Sequence, residues 1–158
     1  MASCGGWTRL RRARRLGGTL SEWPPYPARV GSENRFGHVD LRVPSIAEVL
    51  PFYEELLPAL GFSERYHGAE WKVFAIDGEL PAAAYFAITE SADHVPNENR
   101  VAFWARDRSE VEHIAAVVTH AGGREISGPK EMPYGQEYYA VYFADPAGNR
   151  FEVYHRLD

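Results

Sequence analysis

A glutamate lies in the middle of an apolar, aromatic-rich segment near the end of the chain. Glu152 belongs to the run Arg150–His155, which follows a turn-forming segment at Asp145–Asn149. Strand alternation places Phe151 and Val153 on one face and Glu152 on the other. Because burying an unpaired carboxylate is costly, Glu152 either faces water or faces a binding or catalytic site.

Two further side chains with chemical potential lie on alternating segments upstream. His38 lies in the run 36–43 and Arg100 in the run 100–106, each on the face opposite the apolar residues. These segments are predicted to be strands. The sheet faces that carry His38, Arg100 and Glu152 are therefore either solvated or folded around a common cavity.

The elements that position these residues follow one order twice, β-α-β-β-(β). Apolar residues at helical spacing predict a first helix from Ile46 to Leu60, with Ser45 as a cap and Gly61 as its end. Pro51 inside that segment predicts a kink or a late start.

The second helix is expected after a cap at Asp107 or Ser109 and ends at Gly122-Gly123. The other predicted strands are 71–76 and 81–89 in the first half, and 124–126 with the two arms of the hairpin in the second, with a loop over 129–136. This order predicts an α+β fold with one helix covering one face of each small sheet.

Composition limits the class of protein. The chain has 158 residues, with 45% hydrophobic and 13% aromatic content, which is typical of a packed domain. No apolar run is long enough to cross a bilayer, so no membrane partner is expected. Cys4 is the only cysteine, which excludes an intrachain disulfide and favours a reducing compartment, the cytoplasm.

Charge divides the chain at about residue 34. Residues 1–34 carry six Arg and two acidic residues, a net +4, whereas residues 35–158 carry eleven Lys or Arg and twenty acidic residues, a net −9. A body that acidic is a poor nucleic-acid binder. We predict a disordered basic extension over 1–34 and a folded domain over 35–158, with modules at about 35–92 and 99–156.

The basic extension has two other interpretations. An Arg-rich start is typical of targeting peptides, but no apolar segment or small-residue cleavage site follows the cluster between Arg9 and Arg15. A basic arm that contacts nucleic acid or anionic lipid is the remaining alternative.

Three stretches together resemble a known family. They are Gly37–Val43, Arg100–Phe103 with Ala121-Gly122-Gly123, and Tyr139 through the turn at 145–149 to Glu152. Over about residues 35–156 the chain resembles the vicinal oxygen chelate superfamily, the glyoxalase, bleomycin resistance and extradiol dioxygenase group. The resemblance implies paired βαβββ modules that curl around a cavity, which often holds a divalent metal. It also implies a homodimer.

The same resemblance implies four metal-ligand positions, of which His38 and Glu152 match two. Arg100 occupies the third, where the family usually has His, and a guanidinium is not a metal ligand at ordinary pH. The fourth falls on residues 83–89, where the candidate donors are Tyr85 and, just beyond, Glu90. A divalent metal is therefore possible by resemblance, but its site is incomplete.

Two functions follow. In the first, the protein binds a small anionic or oxygen-rich molecule without chemistry, with Arg100 as an anion clamp. Trp104, Tyr139 and Tyr154 then line an apolar pocket for the ligand. In the alternative, a metal on His38 and Glu152 serves a lyase, isomerase or dioxygenase.

Structural roles are the competing interpretation for each of these residues. Arg100 can form an internal ion pair with Glu152, and His38 can be a strand histidine hydrogen-bonded to Glu152. The three aromatic residues can simply pack in the core.

Overall fold

The fold repeats one βαβββ arrangement twice. A computed structural model of the chain describes residues 36–76 and 84–157; the predicted basic extension over 1–34 lies outside these residues. The first module consists of β1 (His38–Val43), α1 (Ile46–Ala59), β2 (Glu64–His67), β3 (Trp71–Ala75) and β4 (Tyr85–Glu90). The second consists of β5 (Arg100–Trp104), α2 (Arg108–His120), β6 (Arg124–Glu131), β7 (Tyr139–Ala144) and β8 (Arg150–His155). The predicted α+β class with paired modules is confirmed.

Each module has its own mixed four-stranded sheet. The strand orders are β1-β4-β3-β2 and β5-β8-β7-β6. The pairs β1–β4 and β5–β8 are parallel and the others are antiparallel. Arg100 on β5 and Glu152 on β8 are thus carried by neighbouring strands, whereas His38 lies in the other sheet.

Both helices pack on one side of the sheets. Helix α1 packs against β3 and β4, α2 packs against β6, β7 and β8, and the two helices contact each other. The alternating apolar side chains of the strands meet them in one core, whose aromatic members are Phe52, Tyr53, Phe74, Phe86, Phe143 and Phe151. No described helix is long and apolar enough to cross a membrane.

The opposite side of each sheet is not covered by a helix in the described part of the chain. We call these surfaces the first open face, which carries His38, Asp40, Trp71, Tyr85 and Ala87, and the second open face, which carries Arg100, Trp104, Tyr142, Glu152 and Tyr154. The exposed side chains on these faces, such as His38 and Trp104, are available to a ligand or a partner.

A buried hydrogen-bond network joins the two modules at the β7–β8 turn. The hydroxyl group of Tyr53 on α1 donates a hydrogen bond to Asp145 Oδ2 at 2.5 Å. The side-chain amide of Asn149 donates to the same oxygen at 2.9 Å and to the Arg42 carbonyl at 3.3 Å, while His94 Nε2 lies 2.8 Å from Asn149 Oδ1. Burial, reinforced by Asp145, raises the pKa of Tyr53, so Tyr53 remains a donor. The turn therefore fastens the second module to the first.

The start of α1 differs from the prediction. The helix begins at Ile46 and runs through Pro51, so it does not start late. Ser45 occupies the cap position but makes no side-chain hydrogen bond; Glu90 accepts from the Ile46 N–H at 2.8 Å instead. A carboxylate at this end also complements the helix dipole.

Two strands also differ from the prediction. The strand β2 was not predicted. The strand β6 extends to Glu131, whereas the sequence predicted a short strand over 124–126 and a loop over 129–136. The pairing of β6 with β7 shifts register between Arg124 and Lys130, which is typical of bulges.

Candidate functional site

Glu152 is held on the second open face by two side chains. Its side chain is 9% exposed, and Tyr138 donates to Oε1 at 2.6 Å. The Arg100 guanidinium lies 4.0 Å from Oε2, the outer limit of an ion pair. Tyr138 is therefore the closer partner of the carboxylate.

Arg100 keeps hydrogen-bonding capacity beyond that pair. Its side chain is 43% exposed, and its guanidinium lies over the Tyr142 ring at 4.8 Å from the centroid. Strand register places Arg150 directly beside it, and Arg150 pairs with the exposed Glu98 at 3.2 Å. Both arginines line a cavity of about 250 Å³. Its other lining residues are Tyr142, Glu125, Phe143 and Phe151.

Two tyrosines that the sequence did not single out complete this site. Burial and then the Glu152 charge raise the pKa of Tyr142 to about 12, and burial followed by the hydrogen bond to Glu152 raises the pKa of Tyr138. Both remain protonated donors at neutral pH. The Tyr142 hydroxyl is buried near Glu152 without reaching hydrogen-bonding geometry with any described group. The β7–β8 register, which sets Tyr142 opposite Glu152, could have indicated it.

The predicted aromatic residues divide between the two sides of the second sheet. Trp104 meets Tyr154 edge to face at 5.2 Å, and Tyr154 stacks on Tyr138 at 4.9 Å between centroids, all on the second open face. Tyr139 lies on the helix side, where it donates to Glu112 at 3.3 Å and Arg108 of α2 covers its ring. The expectation that Tyr139 lines the pocket is corrected by this placement, because adjacent strand residues face opposite sides.

His38 lies apart from the Arg100–Glu152 pair. It stacks on Tyr85 of the first open face with ring centroids 4.5 Å apart, and no hydrogen bond joins it to Glu152. Glu90 is engaged at the start of α1. Within residues 36–76 and 84–157, no three His, Cys, Asp or Glu side chains come together as a metal would require. The described residues of one chain do not fit the metal that the resemblance implies.

These features define a class: proteins with paired βαβββ modules whose sheets each present an open face. The family model for the glyoxalase/bleomycin resistance protein/dioxygenase superfamily matches residues 35–153. The chain belongs to this superfamily. No curated protein matches it.

Solved structures with this fold come from several bacteria. A glyoxalase/bleomycin resistance protein from Albidiferax ferrireducens T118 is 25% identical, with a TM-score of 0.59, covering 78% of this chain and 100% of that chain. The fosfomycin resistance protein FosX from Listeria monocytogenes is 19% identical, with a TM-score of 0.60 and coverage of 78% and 94%. A glyoxalase/bleomycin resistance protein/dioxygenase family enzyme from Burkholderia phytofirmans PsJN is 16% identical, with a TM-score of 0.59 and coverage of 77% and 98%. The last two likenesses concern the fold alone.

Proposed function

We propose that this protein binds a small anionic or oxygen-rich molecule on the second open face, with Arg100 as the main contact. The observation that carries the proposal is the partial engagement of Arg100, which is 43% exposed and 4.0 Å from Glu152. Guanidinium groups bind carboxylate, phosphonate and phosphate oxygens with paired hydrogen bonds. Arg150 beside it and the adjoining cavity support an anion at this position.

The proposed binding needs no metal. Glu152 already has Tyr138 and Arg100 as partners, and Arg100 stands where a metal-ligating His is expected from the family resemblance. These contacts favour a binding protein over the alternative, a lyase, isomerase or dioxygenase with a metal on His38 and Glu152. The proposal assigns no catalytic residue.

Calorimetric titration with methylphosphonate, oxalate and inorganic phosphate tests the anion site. We expect saturable binding of at least one of them, weakened about tenfold or more by Arg100→Ala, because hydrogen bonds to charged groups contribute about 1.5–3 kcal/mol. Arg106→Ala is the matched control, since Arg106 is 84% exposed and pairs with Glu110 outside the site. Equal affinity of wild type and Arg100→Ala for these anions would contradict the proposal.

The metal content of the purified protein distinguishes the binding function from the metal-dependent enzyme alternative. We expect little divalent metal by elemental analysis of protein purified without chelators. A stoichiometric divalent metal would overturn metal-independent binding and favour the enzyme alternative.

We also propose a homodimer that covers the open faces. Large aromatic side chains are exposed on both sheets, with Tyr66 46% and Trp71 44% exposed on the first and Trp104 51% exposed on the second. Aromatic side chains are enriched where proteins meet, and a second copy would enclose the ligand. Sedimentation velocity at micromolar concentration tests this, and a stable monomer would contradict it.

The other proposed features follow from composition. The net −9 of residues 35–158 does not favour a nucleic-acid partner. The single cysteine fits a reducing compartment, and we propose the cytoplasm.

A further inference from the structure

We propose that Glu98 is an internal competitor of the ligand, and that the anionic group of the ligand displaces it from Arg150 and then bridges Arg100 and Arg150. This inference rests on the proposed anion site and goes beyond it, because it adds a second arginine contact and an autoinhibitory one. The ligand class that follows is a molecule with a singly charged, forked oxyanion, such as a carboxylate or a sulfonate, whose oxygens reach two guanidinium groups at once.

The two arginines lie side by side on the second open face. Arg100 on β5 and Arg150 on β8 are register partners on parallel strands, so their side chains leave the same face of the sheet. Both line the cavity of about 250 Å³. Like charges on neighbouring strands repel each other, so each guanidinium needs a negative charge nearby. One oxyanion between the two arginines would supply that charge to both.

The carboxylates that face these arginines differ in how easily they can leave. Glu152 is 9% exposed and accepts a hydrogen bond from Tyr138 at 2.6 Å, so moving its carboxylate would leave a donor unsatisfied. Glu98 is 91% exposed, and its carboxylate lies 3.2 Å from Arg150 Nη1. Breaking an exposed ion pair changes an equilibrium constant by about fivefold or less. Glu98 is therefore the carboxylate that a ligand can displace.

The segment between the two modules keeps this carboxylate next to Arg150. Asn97 Oδ1 accepts from the Asn99 N–H at 2.8 Å, which closes a turn around the residue between them. His94 Nε2 lies 2.8 Å from Oδ1 of Asn149, the residue that precedes Arg150. A carboxylate tethered in this way competes with a ligand at a high effective concentration.

The charges around the cavity favour a ligand with one negative charge. The two arginines and the two carboxylates that face them sum to zero, and a monoanionic group in place of Glu98 preserves that sum. Glu125 also lines the cavity, so a second negative charge on the ligand would be repelled. A neutral ligand has no charge with which to displace Glu98 from Arg150.

Titration with methanesulfonate tests this competition, with the neutral dimethyl sulfone as the matched compound. Methanesulfonate carries one negative charge at any working pH. The arginine Nε–H signals in NMR spectra, recorded at constant ionic strength, report binding at each guanidinium. We expect Glu98→Gln to bind methanesulfonate about twofold to fivefold more tightly than the wild type, because the competing carboxylate is gone. Dimethyl sulfone should shift neither the Arg100 nor the Arg150 signal.

A double-mutant cycle shows whether the gain comes from the Glu98–Arg150 contact. Arg150→Gln should weaken methanesulfonate binding about tenfold, because one charge-assisted contact is lost. In the Arg150→Gln background, Glu98→Gln should give little further gain, since the carboxylate has no guanidinium to occupy.

Glu125→Gln is the control for charge alone. Glu125 lines the same cavity but is not an ion-pair partner of Arg150 in the described part of the chain. Its gain in affinity should be smaller than that of Glu98→Gln and should persist in the Arg150→Gln background. Equal gains from the two substitutions would mean that Glu98 acts only through its charge, which would overturn the competition.

The same titrations separate this inference from the proposed anion site. Equal affinity of wild type and Glu98→Gln, or unchanged affinity in Arg150→Gln, would overturn it. If Arg100→Ala still weakens binding in that case, the proposed anion site stands without the second arginine. If neither the wild type nor Glu98→Gln binds methanesulfonate, both proposals fail. Binding by Glu98→Gln alone would support the competition most directly.

Discussion

The carboxylate of Glu152 receives its closest hydrogen bond from a tyrosine, not from the arginine beside it. The sequence predicts a charge-assisted Arg100–Glu152 pair, and Arg100→Ala would cost about 3–5 kcal/mol if Glu152 is buried, the usual result of orphaning a buried charge. The structure places Arg100 43% exposed and 4.0 Å away, with Tyr138 at 2.6 Å from the other oxygen. Tyr138 therefore contributes more than Arg100 to holding the buried Glu152 carboxylate in the folded protein.

We therefore expect Tyr138→Phe to lower the free energy of unfolding more than Arg100→Ala. The tyrosine hydrogen bond to a charged group is worth about 1.5–3 kcal/mol, and the solvated arginine pair about 1 kcal/mol or less. Urea denaturation of the two single variants and the double variant measures both effects. A larger loss for Arg100→Ala would contradict this assignment.

Strand alternation predicted which side chains of one strand share a face, and nothing beyond that. It placed Arg100 with Trp104 on one side of their strand and Glu152 with Tyr154 on one side of theirs, because period 2 needs no tertiary information. Only the β5–β8 pairing puts the two sets on one face. Strand alternation did not show that Tyr138, which directly precedes β7, donates to Glu152, because that contact depends on the β7–β8 register. It also could not decide whether the two sheets of one chain bring His38 near Glu152.

Among the elements, the β7–β8 turn has a structural role that its motif alone did not reveal. Tyr53 of α1 donates to Asp145 in that turn, across 92 positions of the chain. We expect Tyr53→Phe, which preserves the ring, to cost about 1.5–3 kcal/mol, since a buried charged acceptor loses a donor. Thermal and urea unfolding measure the loss.

The matched control is Tyr139→Phe. Tyr139 also donates to a carboxylate, that of Glu112, but at 3.3 Å in an exposed position. We expect a change within about 0.5 kcal/mol there. Equal losses for the two variants would mean that the buried network does not stabilise the module junction.

The two helices are joined by an ion pair that depends on pH. His120 Nδ1 lies 2.7 Å from Glu55 Oε2, and this hydrogen bond, with the Glu55 charge, raises the pKa of His120 above 6.5. Because the folded-state pKa is the higher one, the stabilisation is fully present below pH 6.5 and is lost as pH rises through the raised value.

Melting temperatures of wild type and Glu55→Gln test this linkage. The wild type should be the more stable at about pH 5.5, and the difference should shrink as pH rises through the raised pKa of His120. A difference that stays constant across this range would exclude the His120 titration as its cause.

Helices and strands were predicted correctly where apolar periodicity was strong. They were missed where only pairing with a neighbouring strand makes a segment a strand. The first helix and the final hairpin have clear periods, and tertiary burial of α1 outweighs the cost of Pro51 within it. The segment Glu64–His67 has polar residues on both faces, so only its pairing with β3 makes it a strand. In β6, a strand over 124–126 and a loop over 129–136 were predicted, yet irregular pairing with β7 continues the strand to Glu131.

For the whole molecule, the core is built within residues 36–157 of the described chain. The first 34 residues lack the apolar periodicity of a packed element, so we expect deletion of residues 1–30 to leave the melting temperature nearly unchanged. Differential scanning calorimetry of the full and truncated proteins measures this. A large loss of stability would show that the basic segment belongs to the fold.

The positions of two tryptophans give the protein an internal optical reporter. Trp71 stands on the first open face and Trp104 on the second, 44% and 51% exposed. The other two, Trp7 and Trp23, lie in the segment that the truncation removes. In the truncated protein, replacing one of the remaining indoles with phenylalanine leaves a single emitter on a known sheet. Its emission wavelength and its accessibility to a quencher would then tell which side of the molecule becomes covered when a ligand or a second copy binds.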